Sequence, residues 1–212
     1  PHTLSLHDAL PIYGLTDTHE GIAGKGVFER AINGIREAKR AGFKVCTNTT
    51  IYKNTSEKEI EELFSFLDGL GVDGMLVSPG FSFEHYENEV FLCRTEIQER
   101  FGFIYGISKK YKILNSPLYL KFLKGERSLK CTPWGNPTRN YSGWKSPCYL
   151  ITDTHYKTFA ECMKNTDWDK YQEGKDPRCE NCMMHCGFEP TVVLQGGKRL
   201  SDIIEMAKWS FS

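Results

Sequence analysis

The sequence predicts an α/β protein in two parts: a stretch of parallel sheet with helices between its strands, then a small cysteine-rich region. Three observations predict it. Helical and β-branched stretches alternate from Gly26 to Phe81 with short loops between them, which is the pattern of βαβ units. Five of the eight cysteines fall in two groups between Cys131 and Cys186. The 212 residues are 40% hydrophobic, enough to build a core and to argue against global disorder. Twenty-seven basic residues balance twenty-seven acidic ones, so the chain has no general affinity for nucleic acid to expect. No apolar run reaches the length that spans a bilayer. Eight cysteines without a visible secretory signal point to a reducing, cytoplasmic setting.

The first dozen residues, PHTLSLHDALPI, have no period that continues into the residues after them. They resemble translated adapter sequence at a fragment end, so residues 1–12 are set aside as non-native and the natural protein is expected to begin upstream. From Gly26 the pattern is regular. Val27, Phe28, Ala31, Ile32, Ile35 and Ala38 recur at helical spacing, and Gly42 ends that helix. Phe43–Ile51 is short and β-branched, a strand. Ser56 and Glu59 form a capping box for a helix carrying Ile60, Leu63, Phe64, Leu67 and Leu70. Gly74–Phe81 is the next strand, stopped by Pro79-Gly80. In a parallel barrel, function sits in the loops after the strands' C-terminal ends. Here those are Asn48-Thr49-Thr50 and Ser78 to Phe81, followed by Ser82-Phe83-Glu84.

A helix is expected over residues 89–100, with Val90, Cys93, Ile97 and Phe101, and a strand over Lys110–Asn115. Ser116-Pro117 caps a short helix to Lys124. Residues 108–130 hold Lys109, Lys110, Lys112, Lys121, Lys124, Arg127 and Lys130 against Glu126 alone, with Tyr105, Tyr111, Tyr119 and Phe122 interleaved. Such a run is ordinarily a solvated face. Its sharper reading is an edge that rests on an anionic membrane surface and admits a lipid. Residues 156–164 read as a helix, and Leu200–Ser212 as a last one with Ile203, Ile204, Met206, Ala207 and Trp209.

Between these lie the cysteines. Cys131 and Cys148 flank a hairpin whose turn residues are Gly135-Asn136-Pro137 and Ser142-Gly143. Cys179, Cys182 and Cys186 form C-x-x-C-x-x-x-C. Two residues between thiolates let both reach one centre, and the third follows about one helical turn later. Soft thiolates select zinc or iron–sulfur clusters. His185 sits within the set as a lesser candidate ligand. Cys46, Cys93 and Cys162 stand alone and read as structural.

The spacing of Cys131, Gly143 and Cys148, with the later cysteines, resembles the auxiliary-cluster extensions called SPASM and twitch domains in radical S-adenosylmethionine (SAM) enzymes. GVFERAINGIREAKRAGFKV, GVDGMLVSPGF, KCTPWGNPTRN, PCYL, TDWDKY and C-x-x-CMMHCG together resemble the adenosyl-hopene transferases, radical SAM enzymes of hopanoid biosynthesis. The similarity runs from about Thr18 to near the C-terminus. It implies the C-terminal part of a partial (β/α) TIM-type barrel over residues 13–128 and a twitch-like domain over 129–212. It implies a 4Fe–4S cluster on four of Cys131, Cys148, Cys179, Cys182 and Cys186. Asn48, Ser78 and Gly80 fall where barrel strands five and six line the SAM pocket. No catalytic residue is assigned.

In that family a C-x-x-x-C-x-x-C loop holds the cluster that cleaves SAM, and the 5′-deoxyadenosyl radical adds to the alkene of a hopene to give adenosylhopane. The chain has no such loop before Cys46. It is therefore expected to be an inactive fragment with a raw sheet edge. The implied partners are a polycyclic isoprenoid lipid, an electron-donor protein and the inner face of the membrane, with no nucleic acid. The alternatives are a different radical SAM enzyme acting on a peptide or lipid, and a non-enzymatic zinc-stabilised α/β module.

Overall fold

A computed structural model of the chain describes residues 10–81, 88–195 and 199–210. They divide into two units. One runs to Gly80 and includes Asn88–Asn115; the other takes Phe81 and the chain from Ser116. Both combine helix and strand, so the α/β class stands.

The first unit has strands β1 (Leu10–Ile12), β2 (Cys46–Ile51) and β3 (Gly74–Pro79), and helices α1 (Thr16–Ala23), α2 (Val27–Arg40), α3 (Glu57–Gly69) and α4 (Arg94–Ile107). The sheet is parallel in the order β1-β2-β3, with Asn48 opposite Leu76 and Thr50 opposite Ser78. Among the described residues it is open and closes no barrel. One side of it carries Ile12, Thr47, Thr49, Ile51, Met75 and Val77, all fully buried. The period-2 alternation of a strand puts Asn48, Thr50, Leu76 and Ser78 on the other side. The helices supply Ile35, Ile60, Leu63, Phe64, Leu67, Ile97, Phe101 and Ile104 to the core, each 0% exposed.

Four local expectations are corrected here. Leu10–Ile12, at the end of the stretch set aside, pairs with Thr47–Thr49 as an edge strand. Helix α1, which has no strong apolar period, is present. Its start explains the capping box: Ser56 Oγ accepts from Glu59 N at 3.2 Å, but a Glu59 carboxylate oxygen accepts from Leu15 N at 2.9 Å, serving another helix instead of its own. Lys110–Asn115 is not a strand. Residues Ser108–Lys110 form a 3₁₀ turn, and Ile113 makes one parallel bridge to Met75. Helix α4 starts five residues late, at Arg94, because Glu96 Oε2 accepts from Cys93 N at 2.8 Å and fixes the N-terminus there.

Asp73 ties α2, β2 and β3 together. Its carboxylate accepts from Lys39 Nζ at 2.7 Å and from Val45 N at 2.6 Å. The hydrogen bond from Lys39 is the main cause holding its pKa below the ordinary value, with the Val45 N–H second. A depressed carboxylate contributes stability above the usual carboxyl range, near pH ~4, and loses it as pH falls below that. Asp73→Asn is expected to cost on the order of 1–2 kcal/mol at neutral pH and to flatten the acid limb of a stability-versus-pH curve. An unchanged acid limb would contradict this.

The second unit has α5 (Pro117–Leu123), β4 (Arg139–Asn140), β5 (Gly143–Pro147), β6 (Thr152–Tyr156), α6 (Phe159–Asn165), α7 (His185–Gln195) and α8 (Leu200–Ser210). Strands β4-β5-β6 form an antiparallel sheet. Its first hairpin is tight, with Asn140 opposite Gly143. Gly143 has φ +132, and a Cβ there would stand 2.5 Å from Tyr156 O, so no other residue fits without moving β6. Strand β6 takes the start of the helix expected from Tyr156, and Thr158 caps α6 through Glu161 N at 3.2 Å.

The division between units falls at Asn115–Ser116, not at residue 128, for a packing reason. Ser116 N and Oγ donate to the Glu189 carboxylate at 3.0 and 2.6 Å. The Tyr119 hydroxyl donates to Met183 O at 2.8 Å, and Phe122 stacks on Phe188 at 4.3 Å. Helix α5 thereby belongs with α7. No helix of the described residues is long and apolar enough to cross a membrane.

Candidate metal centre

Each of the five clustered cysteines is placed by a different piece of the second unit. Cys131 lies on the irregular segment after α5. Cys148 follows β5, Cys179 ends the 3₁₀ turn Pro177–Cys179, Cys182 lies in the loop beyond it, and Cys186 is in the first turn of α7. All five line one small cavity of about 30 Å³. Its remaining wall is almost wholly apolar: Phe81, Pro133, Leu150, Ile151, Met184 and Gly187, with Tyr171. His185 is not part of that wall. All eight cysteines are free thiols.

Hydrogen bonds fix the frame. Thr132 N donates to Gly187 O at 3.0 Å, tying the Cys131 segment to the start of α7. The Thr132 and Thr191 hydroxyls lie 2.7 Å apart, and Thr191 Oγ1 is 2.7 Å from Lys130 O. Thr191 Oγ1 also lies 3.0 Å from Gly187 O; its one proton goes to a carbonyl, so it accepts from Thr132. The N–H groups of Ile151, at 3.3 Å, and Leu150 point at the Cys148 sulfur, as a thiolate ligand requires. Beside Cys179, Arg178 forks to Asp153 at 2.6 and 3.0 Å and reaches Asp176 at 2.8 Å, while the Tyr171 hydroxyl donates to Asp153 at 2.8 Å. The guanidinium holds the Asp153 pKa down at about 2.

The electrostatics of the bare thiols are adverse to charge. Burial pushes the pKa of Cys131 far up, and the neighbouring Cys182, Cys148 and Cys179 add to it. Burial raises Cys179 to about 11, and raises Cys148 and Cys186 as well. Without a compensating cation Cys131, Cys148, Cys179 and Cys186 stay neutral. A bound metal reverses this, because coordination deprotonates a thiol outright. Soft donors in a nearly apolar pocket suit zinc or an iron–sulfur centre.

The thiols ring the cavity without meeting at a point. Among the described residues no group of three or more His, Cys, Asp or Glu side chains is arranged around a single ion. A tetrahedral zinc with ligands at about 2.3 Å needs its sulfurs within about 3.8 Å of one another. A cluster of four irons spreads the same four ligands over a larger body.

Gly187, the last residue of the C-x-x-CMMHCG block, has a packing role that the spacing of the cysteines does not reveal. A Cβ on it would collide with Cys131 Sγ. The one signal was a glycine directly after a cysteine at a helix start, where alanine would otherwise be preferred. Gly187→Ala is expected to cost about 1–3 kcal/mol by overpacking and to turn the Cys131 sulfur out of the cavity. Thermal melts and bound iron per chain measure the two effects; full iron retention would contradict the second.

The sheet-side candidates lie in the other unit. Asn48 and Ser78 share the less buried side of the sheet, diagonal to each other across β2 and β3. Asn48 Oδ1 is buried with no hydrogen-bond partner in the structure. Gly80 has a packing role: a Cβ there would stand 2.8 Å from the Tyr52 ring and 3.0 Å from Phe91. Ser82, Phe83 and Glu84 lie outside the described residues. The basic run from Lys109 to Lys130 is not one face. It is split between the units, and Lys110, Lys121, Lys124, Arg127 and Lys130 pair with Glu61, Glu205, Glu126, Asp202 and Asp169.

A family model described as a domain of unknown function (DUF3463) matches residues 75–206. The match takes in all five cavity cysteines, Ser78 and Gly80, and leaves out Asn48. No curated protein and no solved structure matches the chain.

Proposed function

The chain belongs to that family, and from its cysteine pattern and its sequence resemblance to the adenosyl-hopene transferases we propose that it is the cluster-bearing portion of a radical SAM transferase that attaches a 5′-deoxyadenosyl group to the alkene of a hopene. The observation that carries the proposal is the ring of five thiols on one nearly apolar cavity. When bound there, a 4Fe–4S cluster supplies one-electron chemistry. The protein's own part is to hold the sulfurs, to aim the Ile151 and Leu150 N–H groups at Cys148, and to keep water out with Phe81, Leu150, Ile151 and Met184.

The first unit supports the barrel part of the reading. Its strands run in sequence order, β1-β2-β3 and then the bridge at Ile113, all parallel. Right-handed crossovers in that order put every connecting helix on one side, as in successive units of a (β/α) barrel. The opposite side carries Asn48 and Ser78, which would meet SAM. The 212 residues hold no C-x-x-x-C-x-x-C, so on this reading they do not cleave SAM by themselves. The lipid substrate and an electron-donor protein complete the system at the cytoplasmic face of the membrane.

The test joins the chain to an upstream segment carrying C-x-x-x-C-x-x-C and supplies hopene, SAM and a reductant without oxygen. An adenosylated lipid is the expected product. SAM cleavage with no lipid product would assign a different radical SAM substrate, and a colourless protein holding zinc would assign a structural α/β module.

A further inference from the structure

Helix α8 carries an apolar stripe on its outer face, besides Met206 and Trp209, which are half-buried. Its i, i+3, i+4, i+7 stripe is Leu200, Ile203, Ile204 and Ala207, and this apolar stripe faces solvent. Leu200 is 73% exposed, Ile203 46% and Ile204 48%. The acids that would normally face water point inward. Asp202 is 5% exposed and accepts two hydrogen bonds from Arg127 at 3.0 and 2.6 Å. Glu205, one turn on, accepts from Lys121 Nζ at 2.7 Å.

This orientation is anchored, because the buried Asp202–Arg127 pair is costly to separate. It also sorts the charge. With Asp202 and Glu205 neutralised against the body of the unit, the charged residues flanking the outward stripe are Arg199 and Lys208, both exposed. Helix α7 ends with two more exposed aliphatic residues, Val193 at 78% and Leu194 at 57%.

An aliphatic stripe with cations on its borders and its acids withdrawn matches the interface of an anionic bilayer. We propose that the outer stripe of α8, with the exposed end of α7, seats this unit on an anionic lipid surface. The surface differs from the basic run of residues 108–130, five of whose seven cations are paired with intramolecular acids. It does not depend on what the thiol cavity holds, so the two readings fail separately.

The test is co-sedimentation of the 212-residue chain with vesicles of phosphatidylcholine alone and of phosphatidylcholine mixed with phosphatidylglycerol. Binding to the mixed vesicles, weakened by salt, is expected. Ile203→Ser with Ile204→Ser weakens it about tenfold or more, and Arg199→Ala with Lys208→Ala weakens it by about tenfold and removes the salt dependence. Melting temperatures of both variants stay at the wild-type value, since the altered side chains are exposed. No sedimentation of the wild type, equal binding to neutral vesicles, or undiminished binding by the serine variant would each overturn the proposal. So would a dimer in light scattering that the serine substitutions dissolve, which would assign the stripe to a second copy of the chain.

Discussion

Serine substitutions at Cys131, Cys148, Cys179, Cys182 and Cys186, made one at a time, are expected to give four variants that hold at least about tenfold less iron and one that keeps a full complement. The physical basis is stoichiometric. A 4Fe–4S cluster with all its irons protein-ligated takes four thiolates, and five thiols line the cavity. Serine nearly preserves shape but is a hard, weakly acidic donor, so a lost ligand is not replaced. Burial, and after it the neighbouring cysteines, push the Cys131 and Cys186 thiols up, so without metal these two carry no charge. Serine at Cys46, Cys93 or Cys162 is expected to leave iron content unchanged. Cys46 and Cys93 lie in the other unit, and Cys162 is buried beneath β5 with its sulfur 3.7 Å from Lys145 O. Iron per folded chain, with circular dichroism as the folding control, decides the series. Equal iron in all five cavity variants would contradict a shared cluster.

Phe188→Ala is expected to cost about 3–5 kcal/mol, enough to unfold much of the second unit. Phe188 is 5% exposed and stacks on Phe122 at 4.3 Å, a pair worth more than its buried area alone. It sits between Gly187, which gives Cys131 room, and Glu189, which holds the start of α5. Losing the ring therefore loosens the frame of the cavity as well as the core. Phe188→Leu, which keeps most of the volume, is expected to cost less than half as much. Chemical denaturation followed by tryptophan fluorescence reads the difference, because Trp134, Trp144 and Trp168 all lie in this unit. A cost under about 1 kcal/mol for alanine would show that the α5–α7 contact is not what ties the unit together.

Strands β2 and β3 and helices α2 and α3 were legible in the sequence because each carried its own punctuation, whereas β1 and α1 did not. Gly42 and Gly71 closed helices, Ser56 opened one, and Pro79 stopped a strand, and the structure uses each in that role. Helix α7 was not legible. It contains Gly187, Pro190 and the β-branched run Thr191-Val192-Val193, all poor helix formers. It is held by long-range contacts instead: the Phe122 stack, the Glu189 bonds to Ser116, and Thr191 locked to Lys130 and Thr132. Strand β6 was hidden for a similar reason, since Thr152–Tyr156 exposes most of its side chains and pairs only with β5.

At the site, spacing alone brought Cys179, Cys182 and Cys186 together. The convergence of Cys131 and Cys148 on them was legible through a family resemblance and not through any local rule, because the chain between Cys131 and Cys186 must fold before those sulfurs meet. Gly187 carries a constraint that exists only between segments. Net charge along the basic run does not reveal where the acids that answer it come from; Asp202 and Glu205 are more than seventy residues away from Arg127 and Lys121.

The central claim is that the five thiols enclose one multi-iron centre. It is tested most directly by isolating the chain without oxygen, reconstituting it with iron and sulfide, and measuring iron and acid-labile sulfide per folded chain together with the electron paramagnetic resonance spectrum after reduction. About four irons and four sulfides per chain are expected, with the signal of a reduced 4Fe–4S cluster. A folded chain that binds zinc tightly, with neither sulfide nor a paramagnetic signal, would contradict it.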